Sequence, residues 1–146
     1  MEPLIIEIRT ELKRNADDKT RIQGEKFFKE NVKIYGLRSA QTEQIGKEFY
    51  KTLPDKSKSL VFQYCEELWK SGYMEESFIA CNWSYNVKKQ YEPSDFEVFG
   101  EWVNQYVTNW ASCDTLCNHS VGTLVEMYPA LLFGLKKWAK SKNRWM

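Results

Sequence analysis

The sequence predicts an all-α fold, read as a right-handed α-solenoid of stacked helix pairs, with a compact helical bundle as the alternative. Three observations carry this. Apolar residues recur at helical spacing nearly throughout, and no stretch alternates with period two long enough to argue a sheet. Only seven Gly and four Pro occur in 146 residues, too few for a turn-rich sandwich or barrel. Pro54, Pro93 and Pro129 fall at helix boundaries 39 and 36 residues apart, within the 35–45-residue period of α-solenoid repeats. In such a stack each pair buries its inner stripe against its neighbours, and every second helix lines one concave face.

The elements follow in order. Leu4, Ile5, Ile8 and Leu12 form the stripe of a first helix. Asn15 to Asp18 supplies capping residues for a second, which runs through Phe27 and Phe28 and is expected to stop near Gly36. Ser39 is the expected cap of a third helix carrying Ile45, Phe49 and Leu53, broken by Pro54. A fourth presents Leu60, Val61, Tyr64, Cys65, Leu68 and Trp69 and ends at Gly72. Another segment carries Phe78, Ile79, Cys81 and Trp83 to about Lys89. Ser94 and Glu97 have the Ser-x-x-Glu spacing of a capping box, ahead of the stripe Phe99, Trp102, Val103, Tyr106 and Trp110. Asp114 is the expected cap of a helix with Leu116, Leu124 and Val125. Pro129 opens a helix with Leu131, Leu132, Leu135 and Trp138, and Ser141 is placed to cap one more.

Length and composition bound the function. The chain is one domain's worth, with 42% hydrophobic and 28% charged residues, which excludes wholesale disorder. No run reaches the roughly 18 apolar residues of a membrane span. The opening Met1-Glu2-Pro3-Leu4-Ile5-Ile6-Glu7 is too acidic and too briefly apolar for a signal peptide. Cys65, Cys81, Cys113 and Cys117 make no disulfide framework, so reduced thiols and a cytoplasmic location are expected. The net charge of +1 hides an uneven distribution. Residues 1–58 carry 13 Lys/Arg against 10 Asp/Glu, residues 59–126 carry 3 against 10, and residues 127–146 carry 5 against none. A polyanion is attracted to both ends and repelled by the middle unless folding turns those carboxylates away.

The candidate chemistry centres on Thr108–Leu116. Trp110 closing one helix and Asp114 opening the next would share an inter-helix corner. As structural residues they are a core anchor and an N-cap. As functional residues they are an aromatic face and a carboxylate, a pair suited to a developing cation. Cys113, Cys117 and His119 lack the paired spacing of a zinc site, Gly100, Gly122 and Gly134 stand singly rather than in a phosphate-cradling loop, and no metal or cofactor is expected. Lys136, Lys137, Lys140, Lys142 and Arg144, interrupted by Trp138 and Trp145 and free of acids, form a candidate phosphate-facing cluster. Lys26, Lys29, Lys33 and Arg38 add a second basic strip, diluted by Glu25 and Glu30.

Four stretches carry a resemblance. Ile34-Tyr35-Gly36-Leu37-Arg38, Glu67-Leu68-Trp69, Trp110-x-x-x-Asp114 and Lys137-Trp138-Ala139-x-Ser141-x-Asn143-x-Trp145 are similar, in order and spacing, to segments of the DNA alkylation repair family. These are HEAT-like-repeat glycosylases that excise alkylated purines, and the likeness, to the family's N-terminal part, covers about residues 20–146 of this chain. The resemblance implies a single HEAT-like-repeat domain over residues 1–146, truncated at its C-terminal end, acting on duplex DNA that contains alkylated bases. It implies that Asp114 stabilises positive charge on the deoxyribose or orients the attacking water, and that Trp110 packs against the nucleotide backbone around the lesion. The family's arginine falls about two residues beyond Met146, and Ala40 and Gln44 stand where the family more often has Pro and Arg. A non-catalytic helical-repeat module that binds nucleic acid or protein is the other reading.

Overall fold

The computed structural model describes residues 2–146, and among them every regular element is helical. The helices are α1 (Glu2–Asn15), α2 (Asp18–Phe27), α3 (Ser39–Lys51), α4 (Lys58–Lys70), α5 (Met74–Asn86), α6 (Asp95–Tyr106), α7 (Trp110–Leu116), α8 (Gly122–Met127) and α9 (Leu132–Trp138). A π-turn, Cys117–Val121, joins α7 to α8, and 3₁₀ turns occupy Lys88–Gln90 and Pro129–Leu131. The only β pairing among the described residues is a one-residue bridge between Lys33 and Tyr73.

Helix α5 is the centre of the molecule. It packs on α4 along its length and also touches α3, α7 and the π-turn. A helix enclosed on several sides has no polar face to keep. Accordingly Met74, Glu75, Glu76, Ser77, Ile79, Ala80, Cys81, Trp83 and Ser84 are all buried. Each buried side-chain nitrogen and oxygen of α5 finds a partner, as burial requires. Glu76 accepts from Arg9 Nε at 3.0 Å and from the Tyr35 hydroxyl at 2.6 Å. Trp83 Nε1 donates to the Gly46 carbonyl of α3 at 2.9 Å. On the far side of α4, Glu66 accepts from Trp102 Nε1 at 2.6 Å and from the Tyr106 hydroxyl at 2.9 Å, locking α6 in place.

Two serine contacts tie α5 to the α7–α8 rod. Ser77 and Ser112 hydroxyls meet at 2.8 Å, and Ser84 and Ser120 hydroxyls at 3.3 Å. The first two serines of these pairs are seven residues apart and the second two are eight apart. Seven residues bring an α-helix back to nearly the same face, whereas eight overshoot by most of a quarter turn. The π-turn overlaps the end of that eight-residue interval and takes up the extra residue.

Several boundaries differ from those expected. Helix α2 ends at Phe27 rather than near Gly36, because Phe28 turns extended at φ −98°, ψ 139°. The chain then runs to Arg38 across the start of α5, where the Glu75 carboxylate accepts the backbone N–H groups of Tyr35, Gly36 and Leu37 at 3.0, 3.0 and 3.2 Å. Gly36 is required there by its φ of +104°, and an added Cβ would lie 2.5 Å from the Asp17 carbonyl oxygen. Arg38, not Ser39, holds the N-cap position of α3, without a side-chain cap. The Ser94–Glu97 capping box does not form. Ser94 is itself in the helical region, and Asp95 instead accepts the Glu92 N–H at 2.8 Å and pairs with Lys58 at 3.0 Å. Beyond α9, Ser141 caps a turn rather than a helix, its hydroxyl accepting the Asn143 N–H at 3.1 Å.

Candidate nucleic-acid interface

Helix α6 stops at Tyr106, and the break at Val107–Asn109 changes the place of both central candidates. Asn109 is the cap of α7, its side-chain oxygen accepting the Ser112 N–H at 2.8 Å. Trp110 is therefore the first residue of α7 rather than the last of the preceding helix, and Asp114 lies one turn further along the same helix instead of capping it. The inter-helix corner becomes an i, i+4 pair on one helix face. The change brings the two side chains closer in role: both point from one short rod.

Asn109 is well anchored. It is buried, and its side-chain amide donates to the Ser112 hydroxyl at 3.2 Å, which in turn meets Ser77 of α5. This chain of bonds fixes where α7 begins, and so where Trp110 projects. Trp110 remains 45% exposed despite its size, and Asp114 is exposed with no ion pair or side-chain hydrogen bond among the described residues. A large half-exposed ring beside an unpartnered carboxylate is an arrangement the core does not explain.

The Trp110 ring closes an aromatic cluster with Phe27 and Phe28, at centroid distances of 6.1 and 5.5 Å. Phe27 and Phe28 meet edge to face at 5.4 Å, and Phe27 is 69% exposed. Together with Ile34, Leu37, Met74 and Phe78 these rings line a mainly apolar cleft of about 300 Å³. Leu37 and Ser39 line it, and Arg38, between them in sequence, is exposed. Phe27 and Phe28 were not singled out for this role in the sequence, since a helix carried past them would have spread their rings over its surface. The signal that marks them is the Glu75 clamp on residues 35–37, which no local pattern contains.

The basic candidates divide into two groups. Lys136 and Lys137 lie in the last turn of α9, which packs on α6 through Phe96 and Trp138, stacked at 4.4 Å. Gly100 makes that approach possible, since a Cβ there would sit 2.8 Å from the Trp138 ring. Lys137 shares a surface cleft with Glu97 and Glu101, so the acids of the middle segment offset part of its charge. Lys140, Lys142 and Arg144 follow on exposed turns, with Arg144 over the Trp145 ring at 4.7 Å. The Cys113 thiol meets the Trp145 carbonyl at 3.4 Å, bringing this end of the chain back to α7 beside Asp114. The structure thus brings the 144–145 segment, through Cys113, to the helix that carries Trp110 and Asp114, and sets Lys136 and Lys137 apart on α9, which packs on α6.

Among the described residues no three His, Cys, Asp or Glu side chains converge as a metal-ligand group, and no helix is long and apolar enough to cross a membrane. His119, on the π-turn, places Nδ1 2.9 Å from the Thr115 carbonyl and stacks edge-on with Tyr85. A comparison with curated proteins finds no match. A family model described as DNA alkylation repair enzyme matches residues 8–146, all but the first half of α1.

Proposed function

The chain belongs to the DNA alkylation repair enzyme family, and from that premise we propose that it hydrolyses the N-glycosidic bond of cationic alkylated purines, of the 3-methyladenine and 7-methylguanine type, in duplex DNA. The observation that carries this reading is the exposed, unpaired Asp114 carboxylate one turn from Trp110, whose ring helps wall an aromatic cleft. A purine alkylated at N3 or N7 already bears positive charge. When its C1′–N bond breaks, the bonding electrons neutralise the base, which leaves without a general acid. The charge passes to the sugar, and a fixed anion such as Asp114 stabilises the oxocarbenium-like state until water adds at C1′ and loses its proton. The rings of Trp110, Phe27 and Phe28 offer faces that attract a cation more than a neutral base.

In this reading residues 1–146 form one HEAT-like-repeat domain, and α3, α5 and α7 are successive floor helices of a groove. Arg38 meets phosphate, and Lys136, Lys137, Lys140, Lys142 and Arg144 contact the backbone further along. Release of methylated purine from methylated duplex DNA, followed by chromatography of the freed bases, tests the proposal. Release that disappears in Asp114→Asn supports it. Tight DNA binding with no base release from either protein overturns it in favour of a non-catalytic nucleic-acid-binding module.

A further inference from the structure

The extended stretch after α2 has two sides. Ile34 and Gly36 line the aromatic cleft, whereas Lys33 and Tyr35 line a second cleft, of about 420 Å³, between α1, the end of α4 and the start of α5. Alternate residues of an extended chain face opposite ways, so one stretch walls both. Of the basic strip Lys26, Lys29, Lys33 and Arg38, only Lys33 reaches the second cleft, where it joins Arg9, Lys13 and Lys70. We infer that this cleft is a binding site for a phosphate group, separate from the Trp110 cleft and held by these four cations.

Charge is the first argument. The four cations come from α1, from the extended stretch and from α4, and they face two carboxylates, Glu67 and Glu76, which leaves the cleft a net +2. Like charges brought together from distant stretches of sequence repel, and an anion among them relieves the repulsion. Free donors are the second. The Arg9 guanidinium carries five N–H groups, of which Nε donates to Glu76 at 3.0 Å and Nη2 to the Glu67 carbonyl at 3.2 Å. Lys33 spends one of its three on the Ser71 carbonyl at 3.0 Å. Lys13 has no ion pair among the described residues. The acceptors are more fully used. Both Glu76 oxygens are taken, by Arg9 and by the Tyr35 hydroxyl, and Glu67 pairs with Lys70 at 3.2 Å.

The donors are also held in place. The Lys33 carbonyl accepts the Met74 N–H at 2.9 Å, beside the bridge to Tyr73, and the Lys33 ammonium lies 4.3 Å above the Tyr73 ring centre. Tyr73 stacks in turn on Tyr35 at 3.8 Å, and Arg9 is anchored on the fully buried Glu76. Side chains fixed in advance lose little freedom when a ligand arrives. The class of ligand follows from the same geometry. Cations converging from three elements suit a phosphate, which presents oxygens in several directions, better than a carboxylate, which presents two in one plane. The Tyr73 ring is covered by Tyr35 and by Lys33, so no face of it is left for a stacked base. The phosphate comes either from the backbone of DNA or from a free phosphate compound, and one experiment separates the two.

Calorimetric titration of the full chain with inorganic pyrophosphate, at ionic strength matched with potassium chloride, tests the site. Arg9 is left alone, because its loss would strip the buried Glu76 of its cation. Lys13 and Lys33 are exposed, so the double variant Lys13→Gln, Lys33→Gln keeps the fold. The double variant Lys19→Gln, Lys51→Gln removes the same charge from exposed positions outside the cleft and serves as control. Wild type and control are expected to bind pyrophosphate, and the Lys13, Lys33 variant to bind at least about tenfold more weakly. The source is then read from an unmodified DNA duplex. For a backbone phosphate, the Lys13, Lys33 variant flattens the log–log salt slope by about 2 more than the control does. For a free phosphate compound, the two slopes agree. Equal pyrophosphate affinity in all three proteins overturns the inference, as does a wild type that binds none. Neither measurement involves base release, so its outcome is independent of the role of Asp114.

Discussion

The carboxylate of Glu75, buried at the start of α5, accepts the N–H of Gly36 at 3.0 Å. The contact joins a residue deep in the central helix to a loop 39 positions earlier, and the same carboxylate takes the N–H groups of Tyr35 and Leu37. Glu75→Ala leaves three buried donors without an acceptor, at about 1–3 kcal/mol each. Urea unfolding is expected to show a loss of at least about 3 kcal/mol, with Glu75→Gln losing less because its amide oxygen still accepts. A loss under about 0.5 kcal/mol in the alanine variant would mean the loop is held by something else.

Gly36→Ala tests the same junction from the loop side. The left-handed φ of +104° and the Asp17 carbonyl oxygen 2.5 Å from the added Cβ both oppose the substitution. A destabilisation of about 2–3 kcal/mol is expected, of the size such backbone strain carries. A variant as stable as the parent in thermal unfolding would show that the loop can move off α2.

Asp114→Asn is expected to lower alkylpurine release at least about 100-fold. Its side chain has no partner to lose, so thermal stability should stay within about 0.5 kcal/mol. Single-turnover assays and calorimetry on one preparation separate the two effects. Equal rates for mutant and parent would remove Asp114 from the chemistry.

Asn109→Ala should act on Trp110 indirectly. Loss of the α7 cap costs about 1–2 kcal/mol, and fraying of the first turn displaces the ring. Asn109→Asp restores an accepting oxygen for the Ser112 N–H and should recover part of the stability. Trp fluorescence reports the ring's surroundings, and an unchanged spectrum in the alanine variant would show that the cap does not position it.

DNA affinity should fall with salt, and each alanine substitution at Lys140, Lys142 or Arg144 should flatten the log–log slope by about 1. Lys137 shares its cleft with Glu97 and Glu101 and should flatten it less. Fluorescence anisotropy across a salt series gives the slopes. Equal effects at Lys137 and Lys142 would mean that those acids do not shield it.

The helical character, the Gly72 stop of α4 and the Pro129 start were legible because each rests on local chemistry. Gly72 adopts φ +77°, and Pro129 begins the 3₁₀ turn that feeds α9. The end of α2 was not legible. The chain beyond Phe27 is instead held at Tyr35 by Glu75, 40 residues after that tyrosine, and a distant carboxylate leaves no trace in a local window. The Ser94–Glu97 spacing misled for a related reason: Lys58 and the Glu92 N–H engage Asp95, and the turn closes around that residue instead. At the candidate site, residue type and spacing were enough to nominate Trp110 and Asp114, but their shared helix depends on Asn109, whose anchoring to Ser77 through Ser112 is tertiary.

The π-turn between the two serine contacts has an evolutionary reading. A rod that carries one residue more than its neighbour can lose it and become a plain helix, or keep it and hold a side chain outward that regular winding would turn elsewhere. Loss of one residue at Asn118 or His119 should therefore be the tolerated change along this rod, since it shortens the Ser112–Ser120 interval to the seven residues of regular winding and leaves the seam with α5 in register.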